Sequence, residues 1–260
     1  MSEYSARFGP WGVVTGAAMG VGLAFVEELH DRGIGVVLVD RDPSVIEVAA
    51  GLRGETRTVV ADVTDPDWID ALAAVVDDLE IGIAVANAGI SFVGNFLDMT
   101  AQQRQAHLDV NCKGVADLAA WSLPPMVERG HGGFVATSSG SALAGTAGVG
   151  LYSATKAFVV NLIEAIGWEI RESGVTTQAV VAPSMDTPAF RANNADPSRM
   201  MAPAVDPRSV VARALDDLPT GGRWLADDGL EFAAAVARAE RVDMMSSATT
   251  AMYPQVFEQT

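Results

Sequence analysis

The chain has 260 residues, and its 33 Asp and Glu against 17 Lys and Arg leave a formal charge of −16 at pH 7. So acidic a surface repels nucleic-acid phosphates and anionic headgroups, so neither nucleic acid nor membrane is expected as a partner. With 49% hydrophobic and 19% charged residues the composition is globular; one domain is expected, because α/β folds often reach about 250 residues undivided.

In chain order, short apolar runs alternate with longer helical patterns. Strands are predicted over residues 11–15, 36–40, 58–61, 83–87, 134–138 and 177–182. Runs such as VVLV and AVVA lack a two-residue alternation, which suits strands covered on both faces. After Gly20, the residues Val21, Ala24, Phe25 and Leu29 share one helix face. Glu27, Glu28, Asp31 and Arg32 take the other, and Gly33 suits the stop. Asp65-Pro66 reads as an N-cap with Pro at the first helical position. Two longer helical patterns cover residues 101–129 and 149–173.

Residues 183–207 hold five prolines and few helix signals, and they are expected to be a mobile lid. The tail after Gly229, LEFAAAVARAERVDMM, reads as an added helix within a C-terminal extension over 229–260. Repeated β-α-β units imply an α/β fold, a doubly wound parallel sheet in three layers, with ligands at the carboxyl ends of the strands.

Cys112 is the only cysteine, so no internal disulfide forms, and it reads as a small buried residue. His30, His107 and His131 stand at no metal-ligand spacing, and no metal is expected. The N-terminus has no apolar core of a signal peptide. The longest uncharged stretch, 132–155, holds six glycines and seven Ser or Thr, too polar for a membrane helix. A soluble cytoplasmic protein is expected.

Directly after the first strand comes T-G-A-A-M-G-V-G, with Gly16, Gly20 and Gly22. The first glycine allows a tight turn and the second a close approach of pyrophosphate. The third allows helix–strand packing, while the helix N-terminus supplies free N–H groups. Met19 and Val21 of the same turn are expected to border the cofactor. Asp40 ends the second strand, where an acid accepts hydrogen bonds from the adenosine ribose of NAD and repels a 2′-phosphate. Arg41 beside it would answer that phosphate. NAD is the expected cofactor, with NADP as the alternative.

The glycine turn, Asn87-Ala88-Gly89 and Tyr152-Ser-Ala-Thr-Lys156 together closely resemble the short-chain dehydrogenase/reductase family, in its compact oxidoreductase branch. The resemblance runs from about Val13 to Thr187 and implies a Rossmann-like fold. By it, Tyr152 matches the catalytic acid/base and Lys156 its partner. Ser139 matches the substrate-binding serine, with Ser141 nearby, and Asn111 the asparagine that holds a proton-relay water. Asp62-Val63 matches the pair at the adenine edge, and Asn87, Ala88 and Gly89 border the ribose. The family usually shows Pro-Gly and a Thr four residues after that Gly. Here the run is Pro183-Ser184-Met185-Asp186-Thr187, one residue shorter, with Thr187 the best candidate for the carboxamide.

The chemistry has a physical logic of its own. Moving hydride to or from a carbinol carbon needs a proton transfer at its oxygen. A free Tyr titrates near pH 10, so a nearby ammonium and the positive nicotinamide ring together are expected to bring Tyr152 down towards neutrality. Four residues rise about 6 Å, so Tyr152 and Lys156 leave one helix face.

The expected pocket wall, Leu143, Val149, Met185, Phe190, Met200 and Met201, suits an uncharged, fairly apolar alcohol or ketone. A 3-oxoacyl thioester reductase using NADPH is the alternative; it would want basic residues at the pocket mouth, where Arg191 and Arg199 stand. A cofactor-binding regulator without turnover is a third reading. The apolar girth of 101–129 and 149–173 suggests a homotetramer, with a homodimer as runner-up.

Overall fold

The apolar runs become seven parallel strands in the order β3-β2-β1-β4-β5-β6-β7. The structure is a computed structural model describing residues 2–193, 195–200 and 202–254. Its first half runs α1 (Glu3–Phe8), β1 (Trp11–Thr15), α2 (Gly20–Asp31), β2 (Gly35–Asp40), α3 (Val45–Gly51), β3 (Thr56–Val60), α4 (Trp68–Val76) and β4 (Ile81–Ala86). The second half runs α5 (Ala101–Leu108), α6 (Gly114–Arg129), β5 (Gly132–Ser139), α7 (Gly150–Glu169), β6 (Val175–Ala182), α8 (Pro188–Ala192), α9 (Pro207–Asp217), β7 (Gly222–Leu225), α10 (Asp228–Ala235) and α11 (Arg238–Met252).

Burial on both faces explains why the strands carry no alternation. In β2, Val37 and Val39 enter the core shared with α4, α6 and α7, whereas Val36 and Leu38 enter the core shared with α2, α3 and α9. The order reverses between β1 and β4, which opens a crevice at their carboxyl ends. The fold is the Rossmann-like three-layer α/β/α arrangement expected of the sequence.

Several local expectations need correction. The helix expected at Asp65 begins at Trp68 with Asp67 at the N-cap, because residues 65–67 close a turn through Trp68 N–H and the Asp65 carbonyl. The pattern over 101–129 is α5 and α6 joined by a π-helical turn at Asp109–Lys113. Its start is fixed by a capping box in which Thr100 and Gln103 satisfy each other's backbone N–H.

The pattern over 149–173 ends as α7 at Glu169. The tail forms two helices, with extended backbone at Val236 and Ala237 between them. Edge strand β7 and helix α1 carried no sequence signal, being four and six residues long. The segment expected as a lid contains α8, a 3₁₀ turn at Pro197–Arg199, and a bridge from Met185 to Val205. Among the described residues no helix is long and apolar enough to cross a membrane. Among the same residues no group of three His, Cys, Asp or Glu side chains could hold a metal ion.

Candidate active site

Gly16 and Gly20 turn the chain at φ 66° and 59°, a left-handed region that suits glycine. A β-carbon on Gly16 would stand 2.9 Å from the Ala88 Cα, so the turn lies directly on the end of β4. A β-carbon on Gly20 would instead point at Thr187, 3.4 Å away, so the start of α8 lies close over the turn. The side-chain-free turn and the free N–H groups at the start of α2 suit the pyrophosphate of a dinucleotide. Val21 packs into the core beside it, and Met19 precedes α2 with its side chain exposed.

Asp40 at the end of β2 is more than a ribose acceptor. Its carboxylate takes the Ala18 N–H at 2.9 Å and the Asp42 N–H at 3.0 Å, bracing the glycine turn against β2. A carboxylate offers about four acceptor sites, so two N–H bonds leave capacity for hydroxyls. Arg41 is exposed and pairs with Asp62 at 3.7 Å. Burial raises the Asp62 carboxyl, but the Thr64 N–H and hydroxyl, with Arg41, outweigh it and hold the group below its ordinary value. An open cleft of about 690 Å³ there is lined by Arg41, Asp42, Pro43, Val60, Ala61, Asp62 and Asp65. Val63 is turned away from that cleft, buried against the start of α6.

Asn87 is spent on the fold. Its Nδ2 donates to the carbonyls of Thr15 and Gly16 at 3.0 and 3.2 Å, and its Oδ1 accepts from the Thr137 hydroxyl at 3.2 Å. Thr15 Oγ1 receives the N–H groups of Asn87 and Ala88. Thr15 and Thr137 were absent from the expected site, although each sits at the end of a strand that the sequence predicted.

Asn111 lies on the π turn with 0% exposure. Its amide donates to the Ile90 carbonyl at 2.9 Å and the Thr155 hydroxyl at 3.0 Å, and accepts from the Ile90 N–H at 2.9 Å. These bonds occupy both donors, so the side chain is a brace between α7 and the segment after β4. Gly89 lies between it and Lys156, since a β-carbon there would meet Lys156 Nζ at 3.3 Å and Asn111 Oδ1 at 3.5 Å.

Tyr152 and Lys156 leave α7 on one face, with Nζ 5.7 Å from the tyrosine ring centre. Lys156 is buried, its Nζ donating to the Thr137 carbonyl at 2.9 Å. Burial lowers its pKa to about 8, opposed by the Cys112 thiol. Burial raises the Tyr152 phenol above its ordinary value; a hydrogen bond with Ser139 opposes this, and Tyr253 adds to it. The reduction expected from Lys156 does not operate within the protein alone, because desolvation of the phenolate dominates. Ser139 Oγ also accepts the Ser141 N–H at 3.3 Å, while Ser141 Oγ is buried without a protein partner among the described residues.

Pro183 and Met185 are half-buried beyond β6, and Thr187 is buried with its hydroxyl capping α8 through the Phe190 N–H at 3.1 Å. Of the expected pocket wall, Leu143 is buried and Val149, Phe190 and Met200 are half-buried, whereas Met201 lies outside the described residues. Tyr253, beside the catalytic candidates, carried no signal in the sequence.

A sequence model described as short chain dehydrogenase matches residues 11–198. The chain is 35% identical over 182 residues to the very-long-chain 3-oxoacyl-CoA reductase of Macaca fascicularis, covering 66% of this chain and 58% of that protein. It thus spans less than two thirds of that relative's length. Oxidoreductase UcpA of Escherichia coli K12 is 33% identical over 227 residues, covering 84% of this chain and 83% of the relative. A solved short-chain dehydrogenase from Sphingobium yanoikuyae in complex with NADPH superposes with a TM-score of 0.77 at 28% identity, covering 92% of this chain and 93% of the other. The matched residues run from β1 past α8 and include the glycine turn, the end of β4 and the Tyr152–Lys156 face of α7. The chain therefore belongs to the short chain dehydrogenase family, and it is an oxidoreductase acting on CH–OH groups with a nicotinamide dinucleotide.

Proposed function

We propose that the chain interconverts an uncharged, fairly apolar secondary alcohol and its ketone with NAD. The observation that carries this reading is the convergence of Ser139, Tyr152 and Lys156 beside Gly89, at the carboxyl end of β4. The dinucleotide supplies hydride chemistry at the carbinol carbon. Tyr152 Oη takes or returns the hydroxyl proton, and Ser139 Oγ orients the reacting oxygen. Lys156 hydrogen-bonds the nicotinamide ribose and, when charged, favours the Tyr152 phenolate. Asn111 holds the frame around them, and Ser141 offers its unpartnered hydroxyl to substrate.

Gly16, Met19, Gly20, Val21 and Gly22 border the pyrophosphate in this reading. Asp40, Arg41, Asp62 and the backbone of Val63 border the adenosine, and Asn87 to Gly89 its ribose. Pro183, Met185 and Thr187 flank the carboxamide. The segment 183–207 acts as lid, and the single domain ends in the extension over 229–260, of which 255–260 lie outside the described residues.

Charge favours NAD over NADP. The adenosine cleft sets Asp42, Asp62 and Asp65 against Arg41 alone, and Arg41 is already engaged by Asp62. A 2′-phosphate would meet that excess of carboxylate beside Asp40. The test is a panel of secondary alcohols with NAD and NADP, followed as reduced cofactor. NAD should be the more efficient, and Asp40→Ala should narrow its kcat/KM advantage about tenfold, equivalent to about 1.4 kcal/mol. Better use of NADP by the unaltered chain would make Arg41 dominant and overturn the choice.

The macaque relative's name favours a second reading, an NADPH-dependent 3-oxoacyl thioester reductase. The lid arginines weaken it: Arg191 pairs twice with Asp186 at 2.7 Å, and Arg199 pairs with Asp196 at 3.4 Å. Thioester reduction without alcohol turnover would support it, whereas a regulator would turn over neither.

A homotetramer, with a homodimer as runner-up, follows from apolar residues left outside. On α7, Val159 and Ile163 are buried inward, but Phe158 is exposed and Trp168 is 70% exposed. Leu108 on α5 and Val127 on α6 are exposed as well. Against the charge of −16 per chain, association should strengthen with salt. Light scattering showing a 27.1 kDa monomer at moderate salt would refute it. The acidic composition and single cysteine fit the cytoplasm.

A further inference from the structure

Helices α10 and α11 are fastened to both flanks of the catalytic centre. On one flank, a β-carbon at Gly140 would stand 2.6 Å from Leu230 Cδ2 of α10. Arg241 of α11 donates through Nη1 to the Leu143 carbonyl at 2.8 Å, and the Ala147 N–H donates to Ser246 Oγ at 3.0 Å. All three contacts fall on the loop that follows Ser139. Arg241 is held at its other end by the carbonyls of Ala234 and Val236, which pins the joint between the two helices. On the other flank, the Met252 carbonyl at the end of α11 accepts the Asp196 N–H at 2.9 Å, tying the extension to the lid.

The next residue is Tyr253, 6% exposed and close enough to Tyr152 to influence its ionisation. Burial raises the Tyr253 phenol, so it is a protonated donor at neutral pH. Among the described residues its hydroxyl has no hydrogen-bond partner. Its ring is buried while its hydroxyl is not among the buried polar atoms cut off from solvent, so the O–H is free to donate to an acceptor that enters the site. A substrate oxygen held beside Tyr152 would provide one.

Resting on the dehydrogenase reading, we propose that α10 and α11 roof the substrate site and that Tyr253 is a specificity-determining residue. Its ring bounds the space beside Tyr152. Its hydroxyl donates to a second oxygen of the substrate, near the carbon that is oxidised or reduced. The substrate class is thereby narrowed to apolar alcohols or ketones that carry another oxygen close to the reacting one.

The experiment compares Tyr253→Phe and Tyr253→Ala with the unaltered chain on matched ketones, with and without a neighbouring oxygen. Tyr253→Phe keeps the ring and should reduce the preference for the oxygen-bearing partner about tenfold, mainly through KM. NADH affinity should stay within about twofold, since the roof does not touch the adenosine end. Tyr253→Ala should raise relative acceptance of bulkier ketones. An unchanged preference in both variants overturns the specificity role.

A second readout is independent of turnover. The chain has three tyrosines, so nitration by tetranitromethane can be assigned by peptide mass. Tyr253→Ala should speed nitration of Tyr152 severalfold without speeding that of Tyr4. An unchanged Tyr152 rate overturns the roof. If the unaltered chain reduces no ketone, the dehydrogenase reading fails by itself and the nitration rates still decide the roof.

Discussion

Tyr152→Phe should lower kcat at least a hundredfold while NADH affinity stays within about twofold, because proton transfer typically contributes 10²–10⁴-fold. The substitution removes one oxygen and keeps the ring beside Lys156. Ser139 loses its partner but keeps the Ser141 N–H, so the loop after β5 retains its anchor. In the protein alone the phenol titrates above its ordinary value and Lys156 near 8. Burial thus keeps Tyr152 in its protonated form, the one ketone reduction needs, until positive charge is added nearby. Ketone reduction should therefore tolerate lower pH than alcohol oxidation. Retention of more than about a tenth of kcat would remove Tyr152 from the acid/base role.

Asn111→Ala should cost about 3 kcal/mol of stability and at least tenfold in kcat. The deletion strands the N–H and carbonyl of Ile90 and takes from the Thr155 hydroxyl its donor, leaving only its bond to the Tyr152 carbonyl. Each buried group left unsatisfied costs about 1–3 kcal/mol, which sets the estimate. The kinetic loss has a separate cause. Thr155 precedes Lys156 on α7, and Gly89 separates Lys156 from Asn111, so releasing the brace loosens the ammonium as well. Urea unfolding and kcat of the folded enzyme measure the two effects. A midpoint unchanged within error would show that the amide is not a structural brace. Normal stability with reduced kcat would point instead to a role in proton relay.

The outline of both the fold and the site is legible in the residues. The first strand has the bounds read from its apolar run, and the glycine turn follows it immediately. Elements too short to show a period, such as α1 and β7, escape such a reading. At β7 the residue before the strand, Gly221, and its first residue, Gly222, have positive φ and obscure any strand signal. The tail looked like one helix because its pattern stays helical across Val236 and Ala237, where the chain is extended. Asp65-Pro66 misled because an N-cap and an ordinary turn favour the same residues.

The sequence by itself determined the features that repeat within a few residues of chain. These are the apolar runs of a doubly covered sheet, the glycines of the turn, and the four-residue interval that sets Tyr152 and Lys156 on one face. Only the tertiary structure decided which partners these groups meet. It closes Asn111 on Ile90, sets Lys156 on the Thr137 carbonyl, and brings Tyr253 from the tail to Tyr152. It also buries both groups of the pair, which raises the Tyr152 phenol and lowers Lys156. A proton's free energy depends on how much water the surrounding chain excludes, and the residues that exclude it come from distant parts of the sequence.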